Sequence, residues 1–218
     1  MYQENSERNS VHPIKFWRIK EEIRVLGVDD GPFIPRREGR ALVVGVVFRG
    51  GFWLDGVMFT TVEVDGEDST ERISEMILKS KHLKQLRVIV LDGITFGGFN
   101  VVDIRELYEL TGLPVIAVSR RMPDLEKIKL AIRRVKNWEN KLKRMKNAGK
   151  IYKVETKRGK FVYMQISGIS KEDAEEIVRS TSTRSLVPEA LRVAHIIASG
   201  LRGVEVEEGN SGIIQHLR

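Results

Sequence analysis

Residues 86–98 read LRVIVLDGITFGG, and the rest of the chain is arranged around that stretch. Four consecutive aliphatics, Val88, Ile89, Val90 and Leu91, describe a strand covered on both faces. Asp92-Gly93 ends the run, so a carboxylate arrives where the strand leaves the core. The glycines allow another backbone or a phosphate to come close. Residues 23–30, IRVLGVDD, repeat the design: a short apolar strand running out into acid. Two strands that deliver Asp29 and Asp92 to the sheet's edge suggest a divalent-metal site. The plainer alternative is that each Asp starts a turn, which Asp-Gly commonly does.

Around these strands, 218 residues suffice for one domain with a full core. Cysteine is absent, which excludes disulfides and thiolate zinc sites. No apolar segment approaches the roughly 20 residues of a membrane span. The opening MYQENSERNS lacks the apolar centre of a signal peptide, so a cytoplasmic protein is expected. Residues 1–20 read as a flexible arm, 21–203 as a single domain, and 204–218 as a tail.

Between the two acidic strands the pattern continues in order. Residues 31–39 are a loop, because Pro32 and Pro35 cannot sit in a central strand. Residues 40–49 and 52–64 read as the strands of a hairpin turning at Gly50-Gly51. Residues 68–81 read as a helix, with Asp68 as N-cap and Glu71 at capping-box spacing. Residues 101–111 are a second helix, with Asp103 near its start, and 113–118 a fifth strand. The order β-β-β-α-β-α-β is the plan of the ribonuclease-H-like fold, an α/β architecture with a mixed five-stranded sheet flanked by helices. Helices over 170–180 and 187–201 close the domain. In the last one, Glu189 suits the first turn, and His195 falls among apolar neighbours as a packed residue rather than a ligand.

The segment from 123 to 165 reads as a long basic helix, 123–148, followed by a hairpin over 150–165. From 119 to 160 there are sixteen Lys or Arg against four Asp or Glu. That excess is larger than the whole chain's net charge of +7, so the rest of the chain is slightly acidic. Such asymmetry is the footprint of a phosphate-backbone surface, with a solvated helix face as the alternative. Lys127, Arg134, Lys141, Lys143 and Lys160 are the candidate DNA contacts. Trp138 and Tyr152 could stack on bases or simply pack in the core.

The closing stretch, VYMQISGISKEDAEEIVRSTSTRSLVPEALRVAHIIASG, resembles the end of endonuclease V, with its "V-S-P-G-H" strand, "S-x-x-x-A" helix and "L-P-E-P-x-R-x-A-H". LGVDD, VLDG and LPVIAVSR resemble that family's "GVD", "VDG" and "iPTIGVAK". VDDG, VDGEDST, LDGITFGGFNVVD and VPEALRVAH together are more similar still to an archaeal family described as endonuclease dU. The resemblance implies an endonuclease V-like fold and a Mg²⁺-dependent enzyme, with Mn²⁺ as an alternative, that cuts DNA at deoxyuridine in repair. It implies that Asp29 and Asp92 hold metal, that Asp65 stands for the metal glutamate of "R-E-G", and that Arg120 stands for the lysine of "GVAK". Two histidines of endonuclease V are replaced, near Gly98 and by Ile169. The tyrosine-bearing "P-Y-I-P" wedge has no equivalent, since Pro32-Phe33-Ile34-Pro35 sits in a different loop.

Chemically, two or three carboxylates suffice for Mg²⁺, which keeps several waters. Asp30, Asp68 and Glu71 are reserve ligands. Arg120 is expected to hold the phosphate near the cut. Gly97 and Gly98 are expected to let a flipped nucleotide approach the backbone. The lost histidines keep two alternatives open: a non-catalytic nucleic-acid-binding protein of the same fold, and an RNA-directed endonuclease.

Overall fold

The computed structural model describes residues 13–35 and 37–201. The expected tail at 204–218 and most of the expected arm lie outside these residues. The end of that arm is anchored: the Ile14 N–H donates to the Gly168 carbonyl at 2.8 Å, and Phe16 packs against the core.

Three strands open the sheet as an antiparallel meander: β1 (Arg24–Asp30), β2 (Arg40–Arg49) and β3 (Trp53–Glu63). Helix α1 (Ser69–Leu78) crosses over to β4 (Val88–Asp92), which lies parallel to β1. A small hairpin, β5 (Thr95–Phe96) with β6 (Asn100–Val101), leads into α2 (Ile104–Thr111). Asp103 caps α2 by accepting from the Arg105 and Glu106 N–H groups, and Gly112 ends it in the left-handed region. β7 (Val115–Ser119) then pairs parallel with β4. These five strands form the mixed core sheet expected from the sequence.

The basic segment departs from expectation. It forms two helices, α3 (Leu125–Ile132) and α4 (Trp138–Asn147). Between them Asn137 adopts φ 53°, a left-handed geometry that Asn tolerates and a continuous helix forbids. The hairpin follows as β8 (Tyr152–Lys157) and β9 (Lys160–Ser167). It extends the sheet, because β9 pairs antiparallel with β7, giving seven strands in the order β3-β2-β1-β4-β7-β9-β8. The addition covers an edge of β7 that would otherwise present unpaired backbone groups.

Helices α5 (Lys171–Thr181) and α6 (Glu189–Gly200) complete the chain. Side-chain alternation along the strands sorts the core into two layers. Val25, Val90 and Val118 face α5 and α6. Leu26, Ile89 and Leu91 face α1 and α2. The capping box expected at α1 is not formed. Asp68 makes no cap bond; its Oδ1 accepts from the Glu63 N–H and from Asn100 Nδ2, while the Asn100 Oδ1 takes the Ser69 N–H. Among the described residues, no helix is long and apolar enough to cross a membrane.

Candidate metal centre

The site begins with a residue that has no side chain. Gly27 lies mid-strand in β1, where a Cβ would stand 2.3 Å from the Ala190 carbonyl carbon of α6. Only glycine lets the helix backbone settle directly on the strand. Two residues along the same face is Asp29, and one turn and a half along α6 is His195. Their side chains meet, with His195 Nδ1 2.7 Å from Asp29 Oδ2. Parallel pairing supplies the third member: Val28 is in register with Leu91, so Asp29 and Asp92 emerge side by side at the ends of β1 and β4. One donor atom from each of Asp29, Asp92 and His195 lies within 4.8 Å of the others. Among the described residues this is the one grouping of its kind.

The electrostatics of the edge are unbalanced toward negative charge. Burial, and then the neighbouring charge of Asp92, push the Asp29 carboxyl up to about 6, against the opposing bond from His195. Burial also raises Asp30, whose Oδ2 accepts from the Gly97 N–H at 2.6 Å. Asp92 is raised by burial too, with Arg120 and His195 pulling the other way. Crowded carboxylates with raised proton affinity are what a hard divalent cation relieves. The oxygen-and-imidazole donor set fits Mg²⁺ or Mn²⁺.

His195 is therefore a correction, since its neighbours in sequence made it look like a packed residue. Its side chain is 48% exposed on the edge of the site. Two signals pointed to it: the match of VPEALRVAH to a motif ending in His, and a glycine inside a strand.

Asp65, expected as the third ligand, is placed differently. It follows β3 with φ 54°, and its Oδ1 accepts from the Phe99 N–H at 2.8 Å rather than joining Asp29 and Asp92. Of the reserves, Asp30 lies beside Asp29 but accepts from the Gly97 N–H, Asp68 is held by Arg40 and Asn100, and Glu71 is not in the group. Gly97 and Gly98 are likewise explained by the protein itself. A Cβ on Gly98 would lie 2.4 Å from Asp65 Oδ1, and one on buried Gly97 would press on Ala41 and Val62. The room these glycines make is taken up by Asp65 and by the strands beside them.

Lys141 is the second correction. It is 1% exposed, and its ammonium donates to the Asp65 carbonyl at 2.9 Å and to the Gly66 carbonyl. Arg144 binds the Glu67 and Val101 carbonyls beside it. The break before α4 turns these cations inward, where they fasten the β3–α1 loop. Lys127, Arg134, Lys143 and Lys160 are exposed, and so is Arg120 just past β7. Glu189 is buried; it accepts from the Arg184 N–H and pairs with Arg192, fixing the start of the helix that carries His195.

The endonuclease dU family model matches residues 21–202. A UPF0215 protein of Methanothermobacter thermautotrophicus is 59% identical over 187 residues, covering 85% of this chain and 91% of the relative. A counterpart from Pyrococcus furiosus is 46% identical, covering 88% of this chain and 98% of its own. A crystal structure of an Archaeoglobus fulgidus protein superposes with a TM-score of 0.75 at 36% identity, covering 84% of this chain and 99% of that one. Bacillus subtilis endonuclease V superposes at 0.57 with 13% identity over 82% of this chain and 80% of that one, a likeness of fold. With a family match spanning nearly all the described residues and relatives at these identities, this chain belongs to the endonuclease dU family.

Proposed function

We propose that this protein is a divalent-metal-dependent endonuclease that nicks DNA beside a damaged base, with deoxyuridine as the lesion. The observation that carries the reading is the meeting of Asp29, Asp92 and His195 at one sheet edge. Those three residues would hold Mg²⁺ or Mn²⁺. The chemistry such an ion would supply there is polarisation of a phosphoryl oxygen, activation of a water and neutralisation of the leaving oxygen.

The chain's own groups divide the remaining work. Asp29 and His195 hold each other in place, so the imidazole and that carboxylate keep a fixed geometry before DNA arrives. Asp30 fastens the β5–β6 hairpin through the Gly97 N–H. Arg120, exposed and acting on Asp92 through its charge, would bind a phosphate oxygen at the cut. A cation fixed there stabilises charge that grows in the transition state. Lys127, Arg134, Lys143 and Lys160 supply the track for the rest of the backbone.

The test is Mg²⁺-dependent cleavage of labelled duplexes carrying uracil, hypoxanthine or no lesion. The expected result is a nick in the uracil duplex that disappears with EDTA. Tight binding with no nick under any divalent cation would replace the enzyme with a binding module. Cleavage confined to a ribose-containing strand would move the activity to RNA.

A further inference from the structure

A cavity of about 310 Å³ opens directly beside the acidic edge, on the face of the sheet opposite α6. Its rim includes Gly93, which follows Asp92, and Ser119, which precedes Arg120. Its walls are mostly apolar, with Ile94, Met122, Ile128, Met145 and Ile151 contributed by the β4–β5 loop, α3, α4 and the start of the hairpin. The size falls at the lower end of ligand pockets, about 300–1,000 Å³. A Cβ on Gly93 would meet nothing within 4 Å, so the mouth beside Asp92 is open.

Among the polar groups of the wall, Gln165 is held in a defined orientation. Its Nε2 donates to the Gly149 carbonyl at 3.1 Å, which leaves Oε1 as an acceptor. Ser119 is already committed, its hydroxyl donating to the Arg121 carbonyl at 2.9 Å. An apolar slot with a fixed acceptor, one residue from a phosphate-cutting site, suits a planar base that carries an N–H donor.

We infer that this cavity receives the extruded base of the nucleotide being cut, and that the Gln165 carbonyl oxygen accepts that base's imino N–H. The inference rests on the nuclease reading above and adds to it a specificity-determining residue. Uracil, thymine, hypoxanthine and guanine present an imino N–H on the pairing edge, whereas cytosine and adenine present a bare nitrogen acceptor there. Gln165 therefore admits the deamination products and turns away the bases they came from. Paired thymine and guanine are disfavoured by the greater cost of extruding a matched base.

The experiment uses the full chain and three duplexes, with deoxyuridine, N3-methyldeoxyuridine or a tetrahydrofuran abasic analogue opposite dG. N3-methylation removes the donor and does nothing to hinder extrusion. Wild type is expected to nick the uracil duplex at least about 10-fold faster than the N3-methyl duplex. Gln165→Leu should erase that ratio by slowing uracil alone, while nicking at the abasic analogue, which has no base to read, stays within about 3-fold. Binding of the same duplexes in Ca²⁺ reads the pocket without cutting. Equal binding and nicking of uracil and N3-methyluracil by wild type, or an unchanged ratio in Gln165→Leu, overturns the role of Gln165. Wild-type nicking by Asp92→Asn would instead overturn the nuclease reading, whatever the base preference.

Discussion

Two acidic corners of this molecule, one at Asp29 and Asp92 and the other at Asp65, differ in how much of their negative charge the protein answers itself. At the first, a buried and a half-buried carboxylate share an edge with one half-exposed imidazole and one exposed arginine, and their proton affinity rises. At the second, Asp65 receives the Phe99 N–H, and its own carbonyl receives the buried Lys141 ammonium. The first corner keeps negative charge that the protein does not answer itself. The second is a latch, with internal donors already in place. Two aspartates that each lie near the end of a strand of one sheet can differ wholly in how far the protein's own donors answer their charge.

The sharpest break of that comparison is substitution of the three aspartates in turn. Asp92→Asn keeps the side chain's shape and removes the charge that draws the metal. Cleavage should fall by about 10³-fold or more, with DNA binding retained or improved as one repulsive charge leaves the phosphate site. Asp65→Asn keeps the Oδ1 acceptor, and its Mn²⁺ affinity should fall less than about 10-fold, against about 100-fold for Asp29→Asn. Titration calorimetry on the three variants measures the split. An Asp65→Asn loss equal to that of Asp29→Asn would make the latch a ligand after all.

Lys141→Met tests the latch by stability. It leaves the Asp65 and Gly66 carbonyls without their buried donor, and should cost about 2–3 kcal/mol in urea unfolding. Lys143→Met, two residues further along α4 but exposed, should cost less than about 0.5 kcal/mol.

Proton linkage distinguishes the corners next. Asp29 titrates at about 6 in the folded chain and near 3.9 when unfolded, so its raised value stabilises the fold fully below the unfolded pKa. That contribution is lost as pH rises through about 6. Metal-free protein should therefore lose on the order of 1–2 kcal/mol between pH 4 and pH 6.5 relative to Asp29→Asn. Saturating Mg²⁺ should recover stability at pH 7. Parallel thermal melts of both proteins, with and without Mg²⁺, measure the difference. A metal-free difference that grows in favour of wild type with pH would contradict the assignment.

The smallest effect concerns the basic face. Lys143→Ala should reduce the slope of log binding constant against log salt by about 1, regardless of sequence. Lys141→Ala should leave the slope of the folded fraction unchanged, since its charge already serves the protein. Equal slopes for wild type and Lys143→Ala would make α4 a solvated face instead of a DNA track.

Much of this molecule is decided within short stretches of its sequence. Runs such as VIVLD and RALVVGVVFR can only be central strands, and parallel strands in register must deliver Asp29 and Asp92 together. The charge of the 119–160 segment and the hairpin within it are equally local properties. What the sequence left open depends on groups that are far apart in the chain. His195 lies 166 residues from Asp29, and their meeting depends on a helix seated on Gly27. Lys141 and Lys143 look alike in a list of cations, but the kink at Asn137 turns one into the core and leaves the other in solvent. Asp65 carries the same carboxylate as Asp29, and only its neighbours' N–H groups decide that it holds a loop together. Sequence fixes residue type and periodicity, hence strands and their acids; tertiary packing decides which charges are dried and which are answered, and chemistry follows from that.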